Sequence, residues 1–358
     1  MKSKIALCPI LCTLFVWLVP QTSYGCTTFC LGDSGELVFG RNYDWNVDNG
    51  LVIVNKRGVS KTAMARDLPA QWTSEFGSVT FNQFGRELPL GGMNEEGLVV
   101  EVMWLDETEY PQPDSRPALD NLQWVQYQLD NFTTVDEVIG SDSAVRISPG
   151  SGAKVHYLVS DRKGDCASIE FLDGKLVYHT AETMVCKTLT NSTYTESIEF
   201  LKKHEGFGGE SPIPEGTGSL ERFTRAAKLV GEYEPGTAQS AIDYAFGILN
   251  DVAQGEWTKW SIVYDVENFR IYFRTFANRQ IRHIDLDSLD FSCATEVKIL
   301  DMNADLTGSV TQMFTDYTYE INSALIRHVF GEVEFLKEVP DEVLNIISRY
   351  PESTQCTE

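Results

Sequence analysis

A cysteine placed where a hydrophobic leader meets a β-forming stretch can do chemistry that an internal cysteine cannot. In this chain that residue is Cys26, and residues 26 to 45 read CTTFCLGDSGELVFGRNYDW. Cleavage before Cys26 would put a thiol and a free α-amine on one residue. Their reference pKa values, about 8.5 and about 7.7 to 8.0, let a proton pass between them near neutral pH. The two titrate as a coupled pair, so neither has a pKa of its own. Hydrolysis of an unactivated amide needs a nucleophile, a base, donors for the oxyanion and an acid for the leaving amine. A chain-terminal cysteine supplies the nucleophile and the base, and its protonated amine can return the proton to the departing nitrogen.

Arg41 and Asp44 lie fifteen and eighteen residues downstream, beyond the turn-forming run Gly32-Asp33-Ser34-Gly35. Two short strands joined there would return the chain to its starting edge and bring both side chains to Cys26. Arg41, always charged, would favour thiolate over thiol. Asp44 would accept from the α-ammonium and orient it. Side-chain alternation along an extended strand predicts that Asn42 and Tyr43 point elsewhere.

The leader has the pattern of a secretory signal. Lys2 and Lys4 precede an apolar run from Ile5 to Val19, Pro20 closes it, and Ser23 and Gly25 are small residues before Cys26. A membrane span would want about 20 apolar residues. The expectation is a removed segment 1-25, a mature chain 26-358 forming a single catalytic domain, and a periplasmic or secreted location. A lipoprotein, with Cys26 lipidated at sulfur and acylated at nitrogen, is the rival reading, and it would disarm the nucleophile and base together. The residues before Cys26, Ser-Tyr-Gly, lack the Leu three positions back that this modification prefers.

The formal charge is −23 over 358 residues. Such a surface repels nucleic-acid phosphates and anionic lipid headgroups, so those partners are disfavoured. The five histidines show no close metal-ligand pairing, no C-x-x-C occurs, and no phosphate-cradling glycine motif follows a strand. Neither a metal nor a cofactor is expected. Once Cys8 and Cys12 leave with the leader and Cys26 is assigned to chemistry, five cysteines remain, Cys30, Cys166, Cys186, Cys293 and Cys356. They allow at most two bridges, with buried thiols as the equal alternative.

The elements that must position these groups read as strands at 26 to 31, 36 to 42, 51 to 56, 76 to 83 and 97 to 104. The run Leu98-Val99-Val100-Glu101-Val102-Met103-Trp104 is almost continuously apolar, as in a strand covered on both faces. Helices follow at 118 to 132 and from a capping box at Thr134 and Glu137. Strands return at 153 to 160, 167 to 172, 175 to 179 and 184 to 189. Helices at 195 to 204, 219 to 233 and 238 to 252 come next, then strands at 260 to 266, 269 to 276, 281 to 285 and 296 to 301. Helices at 310 to 329 and 341 to 349 close the chain. Residues 206 to 218, rich in Gly, Pro and Glu, read as a surface excursion, with a cover over the site as the alternative. Strand blocks alternating with helix pairs define an α+β layered fold.

Taken in order, Cys26, Gly-Arg-Asn-x-Asp-Trp at 40 to 45, Gly-Met-Asn-Glu-x-Gly-Leu at 92 to 98, Leu-Thr-Asn at 189 to 191 and Arg-Phe-x-Arg at 222 to 225 resemble the choloylglycine hydrolase family of bile salt hydrolases and penicillin V acylases. The resemblance implies an N-terminal-nucleophile hydrolase of αββα four-layer architecture, assembled as a homotetramer, that cleaves a linear amide in a small acylated substrate through a thioester on Cys26. It makes Asn191 an oxyanion donor and Arg222 a second catalytic arginine; Arg225, three residues on along the same helix face, reads as structural, and on so acidic a chain carboxylates are expected to hold both arginines inward. Trp104 aligns where bile salt hydrolases carry Asn. Together with Trp45 beside the catalytic Asp, it is similar to the Gram-negative branch acting on penicillin V and acyl-homoserine lactones, in which the two indoles hold the acyl group. That ranks those substrates first and conjugated bile salts second.

Overall fold

The computed structural model describes residues 25 to 32, 35 to 236 and 240 to 357. The leader expected at 1-25 falls outside the described residues except for Gly25.

Two large sheets carry the fold. The first has the order Thr188–Leu189, Thr27–Leu31, Val38–Asp44, Thr258–Asp265, Arg270–Thr275, Arg282–Asp285 and Gly308–Ser309, antiparallel except at the last pair. The second, fully antiparallel, runs Lys175–Thr180, Cys166–Leu172, Val155–Ser160, Val99–Trp104, Pro89–Asn94, Ser78–Asn82, Leu51–Asn55, Lys298–Asp301 and Thr315–Asp316.

Period-two alternation assigns each strand's two faces. In Thr27–Leu31, Phe29 and Leu31 point outward onto helices Ser219–Gly231 and Ala241–Asp251, where they pack with Ala226, Phe246, Ile248 and Leu249. The intervening Thr28 and Cys30 point inward and meet the second sheet: Thr28 Oγ1 lies 3.1 Å from Met103 Sδ, and Cys30 Sγ lies 3.0 Å from Cys166 Sγ. On the far side, helix Asn121–Asn131 covers strands Pro89–Asn94 and Val99–Trp104, with Trp124 against Tyr157 at a ring separation of 4.3 Å. Helices, sheet, sheet, helices: the four layers are present.

Two elements depart from the sequence expectation in ways that bear on the site. Pro89–Asn94 is a strand despite its proline and paired glycines. A Cβ on Gly91 would collide with the Glu101 carboxylate, so the absent side chain is what lets Glu101 reach across the sheets. The helix expected at 310 to 329 begins only at Tyr319, where the Thr318 side chain caps the Ile321 N–H. Of the remaining cysteines, Cys293 and Cys356 form a disulfide, while Cys30, Cys166 and Cys186 are free thiols.

Candidate active site

The two strands pair antiparallel, Thr27 with Asn42 and Thr28 with Arg41. Cys26, one residue before the strand, is thereby set at the end of Val38–Asp44. It is buried, and its Sγ lies 4.0 Å from Arg41 Nη2. Burial pushes the Cys26 thiol up, and Arg41's charge is the largest opposing influence.

Arg41 is fully buried and ion-paired with Glu101 of the opposite sheet. Its Nη1 donates to the Leu90 carbonyl at 2.9 Å, its Nη2 to the Val102 carbonyl at 3.0 Å, and Tyr264 donates its hydroxyl to Glu101. Burial holds the Glu101 carboxyl at about 7, well above the usual carboxylate range, although Arg41 and Tyr264 pull it down. A fixed cation beside the sulfur thus carries its own fixed counter-charge.

Asp44 is also buried, and burial raises its carboxyl, with Arg222 the strongest influence the other way. It accepts from the Thr258 hydroxyl and, at 2.7 Å, from Gln254 Nε2. The same Nε2 donates to the Gly25 carbonyl at 2.7 Å, so Asp44 is linked through Gln254 to the peptide that precedes Cys26.

The expectation for Tyr43 fails. Asn42 does turn away, toward the Leu249 carbonyl and Ser261, but Tyr43 lies under the Arg41 guanidinium at 5.0 Å and lines the cavity. Residues 41 and 43 share a face by alternation. Asp44 reaches the same cavity where the pairing with Thr258–Asp265 slips, between Thr258 and Trp260.

Asn191 lines the cavity, donates one amide N–H to the Trp104 carbonyl at 2.8 Å and accepts from Arg222 Nη2 at 3.0 Å. An asparagine amide has two N–H donors, so one is left to meet an anion. Behind it, His156 Nε2 lies 2.7 Å from the Thr190 carbonyl and Nδ1 lies 3.2 Å from Glu170, buried support for the loop that carries Asn191.

Arg222 is fully buried and donates to the Cys26 carbonyl at 2.6 Å, Thr27 Oγ1 at 2.7 Å and the Thr217 carbonyl at 3.0 Å. The expected carboxylate does not touch it: carbonyl and hydroxyl oxygens make the direct contacts, and the Asp44 carboxylate acts on its charge from nearby. Arg225 does pair with a carboxylate, Asp251, at 2.9 Å. Arg222 fixes the backbone at Cys26 rather than lining the cavity. A Cβ on Gly25 would strike both Arg222 and Asn191, so residue 25 occupies the space these two groups face. Residues 206 to 218 do not cover the site: their carbonyls at Pro214, Gly216 and Thr217 accept from Arg225 and Arg222.

From Cys26 a cavity of about 540 Å³ extends between the sheets' edge and the C-terminal helices. Trp45 and Trp104 both line it, and each meets the Phe335 ring, at 6.3 and 6.4 Å. The rest of its wall is mostly apolar, with Met64, Phe84, Leu88, Leu90 and Val155 among the residues, and Asp120 and Asn121 the polar exceptions away from the strand end that carries Arg41 and Asp44. The sequence reading missed Glu101, Gln254, Thr258 and Phe335. Glu101 alone carried a signal: a carboxylate inside an otherwise apolar, doubly covered strand must find a cation.

The sequence model of the linear amide C-N hydrolases, choloylglycine hydrolase family, matches residues 26–300, and the chain belongs to that family. It is an N-terminal-nucleophile-type fold and a linear amide C-N hydrolase. Among relatives, a penicillin V acylase of Pectobacterium atrosepticum is 28% identical, over 78% of this chain and 82% of its own. A bile salt hydrolase/transferase of Lactiplantibacillus plantarum is 22% identical, over 70% and 89%. The solved penicillin V acylase of Agrobacterium tumefaciens superposes with a TM-score of 0.72 at 28% identity, covering 82% of this chain and 98% of that one.

Proposed function

We propose that the chain is cut between Gly25 and Cys26 and that mature residues 26 to 358 form a periplasmic or secreted cysteine amidohydrolase. Its substrates carry an apolar acyl group, of the kind found in penicillin V and acyl-homoserine lactones. The observation that carries this reading is the thiol of Cys26, 4.0 Å from Arg41 Nη2, in a cavity whose walls are mostly apolar.

The Cys26 thiol passes its proton to the α-amine, and the thiolate so formed adds to the amide carbon. The oxyanion accepts from the second amide N–H of Asn191. Collapse of the tetrahedral species breaks the C–N bond, and the α-ammonium gives its proton to the leaving amine. Water, deprotonated by the amine, then cleaves the thioester, releasing the carboxylic acid and restoring the thiol. Asp44, with Gln254 and Thr258 as its fixed partners, orients the ammonium; Arg222 anchors the Cys26 carbonyl and turns Asn191.

Conjugated bile salts rank second, because Trp104 stands where bile salt hydrolases carry Asn and, with Trp45, lines the cavity that starts at the thiol. The test is a panel of penicillin V, acyl-homoserine lactones and a glycine-conjugated bile salt with purified mature protein. Faster turnover of the first two supports the ranking; turnover of the bile salt alone reverses it, and no turnover of any removes the reading.

A further inference from the structure

The wall of the cavity opposite the catalytic strands lies beyond residue 300, where the family match ends. Helix Tyr319–Glu332 contributes Phe330, the turn Glu334–Leu336 contributes Phe335, and helix Asp341–Arg349 contributes Val343 and Ile347. Ile326, Phe330 and Leu344 pack these helices on one another. The pair is fastened to the body of the fold at several points. Asn322 accepts from the Arg86 N–H at 2.9 Å and donates to the Ser348 carbonyl at 3.1 Å. Tyr350 donates to the Thr62 carbonyl at 2.9 Å, Gln355–Cys356 pairs with Val59–Thr62, and Cys356 is bridged to Cys293.

Between these fastenings Phe335 is 62% exposed, although its ring lies against both cavity indoles. Ordinary packing would bury such a ring, and each Å² of apolar surface left in water forgoes about 25 cal/mol. A bound acyl group would cover it.

We propose that this C-terminal helix pair is the acyl-selecting wall of the enzyme. Phe335 contacts the acyl group at the Trp45–Trp104 end, and Val343 and Ile347 limit how far an alkyl chain extends. The inference rests on the reading of Cys26 as nucleophile and of this cavity as the acyl pocket. The residues it adds are ones that the matched family region does not supply. The wall takes uncharged apolar acyl groups and rejects those ending in a carboxylate. Beside Arg41, the charged side chains lining the cavity are Asp44 and Asp120.

The test holds the leaving amine constant. Homoserine lactones bearing butanoyl, hexanoyl, dodecanoyl or adipyl groups are compared with wild type, Ile347→Trp, Ile347→Ala and Phe335→Ala, each checked for folding by circular dichroism. Wild type is expected to prefer hexanoyl over adipyl by at least about ten-fold in kcat/KM. Ile347→Trp should lower the dodecanoyl-to-butanoyl ratio by about ten-fold, the low end of what a pocket methylene decides. Ile347→Ala, which makes room, should move that ratio the other way and serves if the tryptophan variant fails to fold. Phe335→Ala should raise KM more than it lowers kcat. A wild type that hydrolyses the series with unchanged ratios in the folded variants, or that accepts adipyl as well as hexanoyl, overturns the wall but not the nucleophile. A wild type that hydrolyses penicillin V but none of the lactones also overturns the wall, and one that hydrolyses neither these nor a glycine-conjugated bile salt overturns the proposed function itself.

Discussion

The two ends of the cavity are built on opposite principles. At the thiol end polar groups bond one another in a network around the buried Arg41 and Asp44: Arg41 to Glu101 and two carbonyls, Asp44 to Thr258 and Gln254, Asn191 to Trp104 and Arg222. These groups sit on strands, or beside strand ends, that two sheets hold in register. At the far end the wall is apolar, helical and partly exposed, with Phe335 in solvent. Chemistry requires fixed charges at fixed distances, since rigid elements hold a constellation more closely than loops do. Acyl recognition tolerates variation, because apolar contact has no direction. The thiol end should therefore respond to substitution through kcat, and the far end through KM and substrate preference.

The sharpest way to break this contrast is at the nucleophile. Cys26→Ser should lose at least about 10³ in kcat against every substrate, since residues acting as one catalytic unit fail together; steady-state assays on the penicillin V and lactone panel would check it. Asn191→Ala should cost about 10² to 10³ in kcat with little change in KM. A KM effect alone would move Asn191 from the thiol end's logic to the far end's. Arg41→Leu should be both inactive and unstable, because it leaves Glu101 buried without its cation, at a cost of about 3 to 5 kcal/mol. Arg41→Leu combined with Glu101→Gln should recover most of the stability in urea denaturation but none of the activity.

A smaller effect concerns Glu101 itself. Its carboxyl lies at about 7 in the fold against 4.5 ordinarily, so the folded state binds that proton more tightly than the unfolded state. That contribution to stability is fully present below about pH 4.5 and is lost as pH rises through about 7. Glu101→Gln should flatten this part of the curve of Tm against pH; an unchanged slope would assign it to other groups. Smallest of all, Trp45→Phe, which keeps an aromatic ring at the cavity, should raise KM a few-fold and leave kcat near wild type.

Much of the thiol end was legible in the sequence because it is local. The hairpin that returns Arg41 to Cys26 is written in the turn residues between them, and Trp45 follows directly in the chain. Asn191, Arg222 and Trp104 were reachable only through the order of several short motifs. Gln254 and Thr258 escaped because the pairing of Thr258–Asp265 with Val38–Asp44, and the loop just before it, bring them to Asp44 across more than 200 residues, which no local pattern encodes. The far wall was read as two terminal helices and nothing more. Its amphipathic faces say that something is covered, and not what. Tyr43 was misplaced for a simpler reason: alternation was applied to Asp44 as if the strand ran on regularly, whereas the pairing slips beside it.

The proposed chemistry requires above all that the backbone nitrogen of Cys26 become a free amine. Intact-mass and N-terminal peptide analysis of the active protein, after labelling with a thiol-directed acylating probe, tests this directly. A chain beginning at Cys26, with an unmodified α-amine before labelling and the probe on its sulfur, is the predicted result. A fully active protein that still carries residues before Cys26, or whose Cys26 bears lipid, would contradict it.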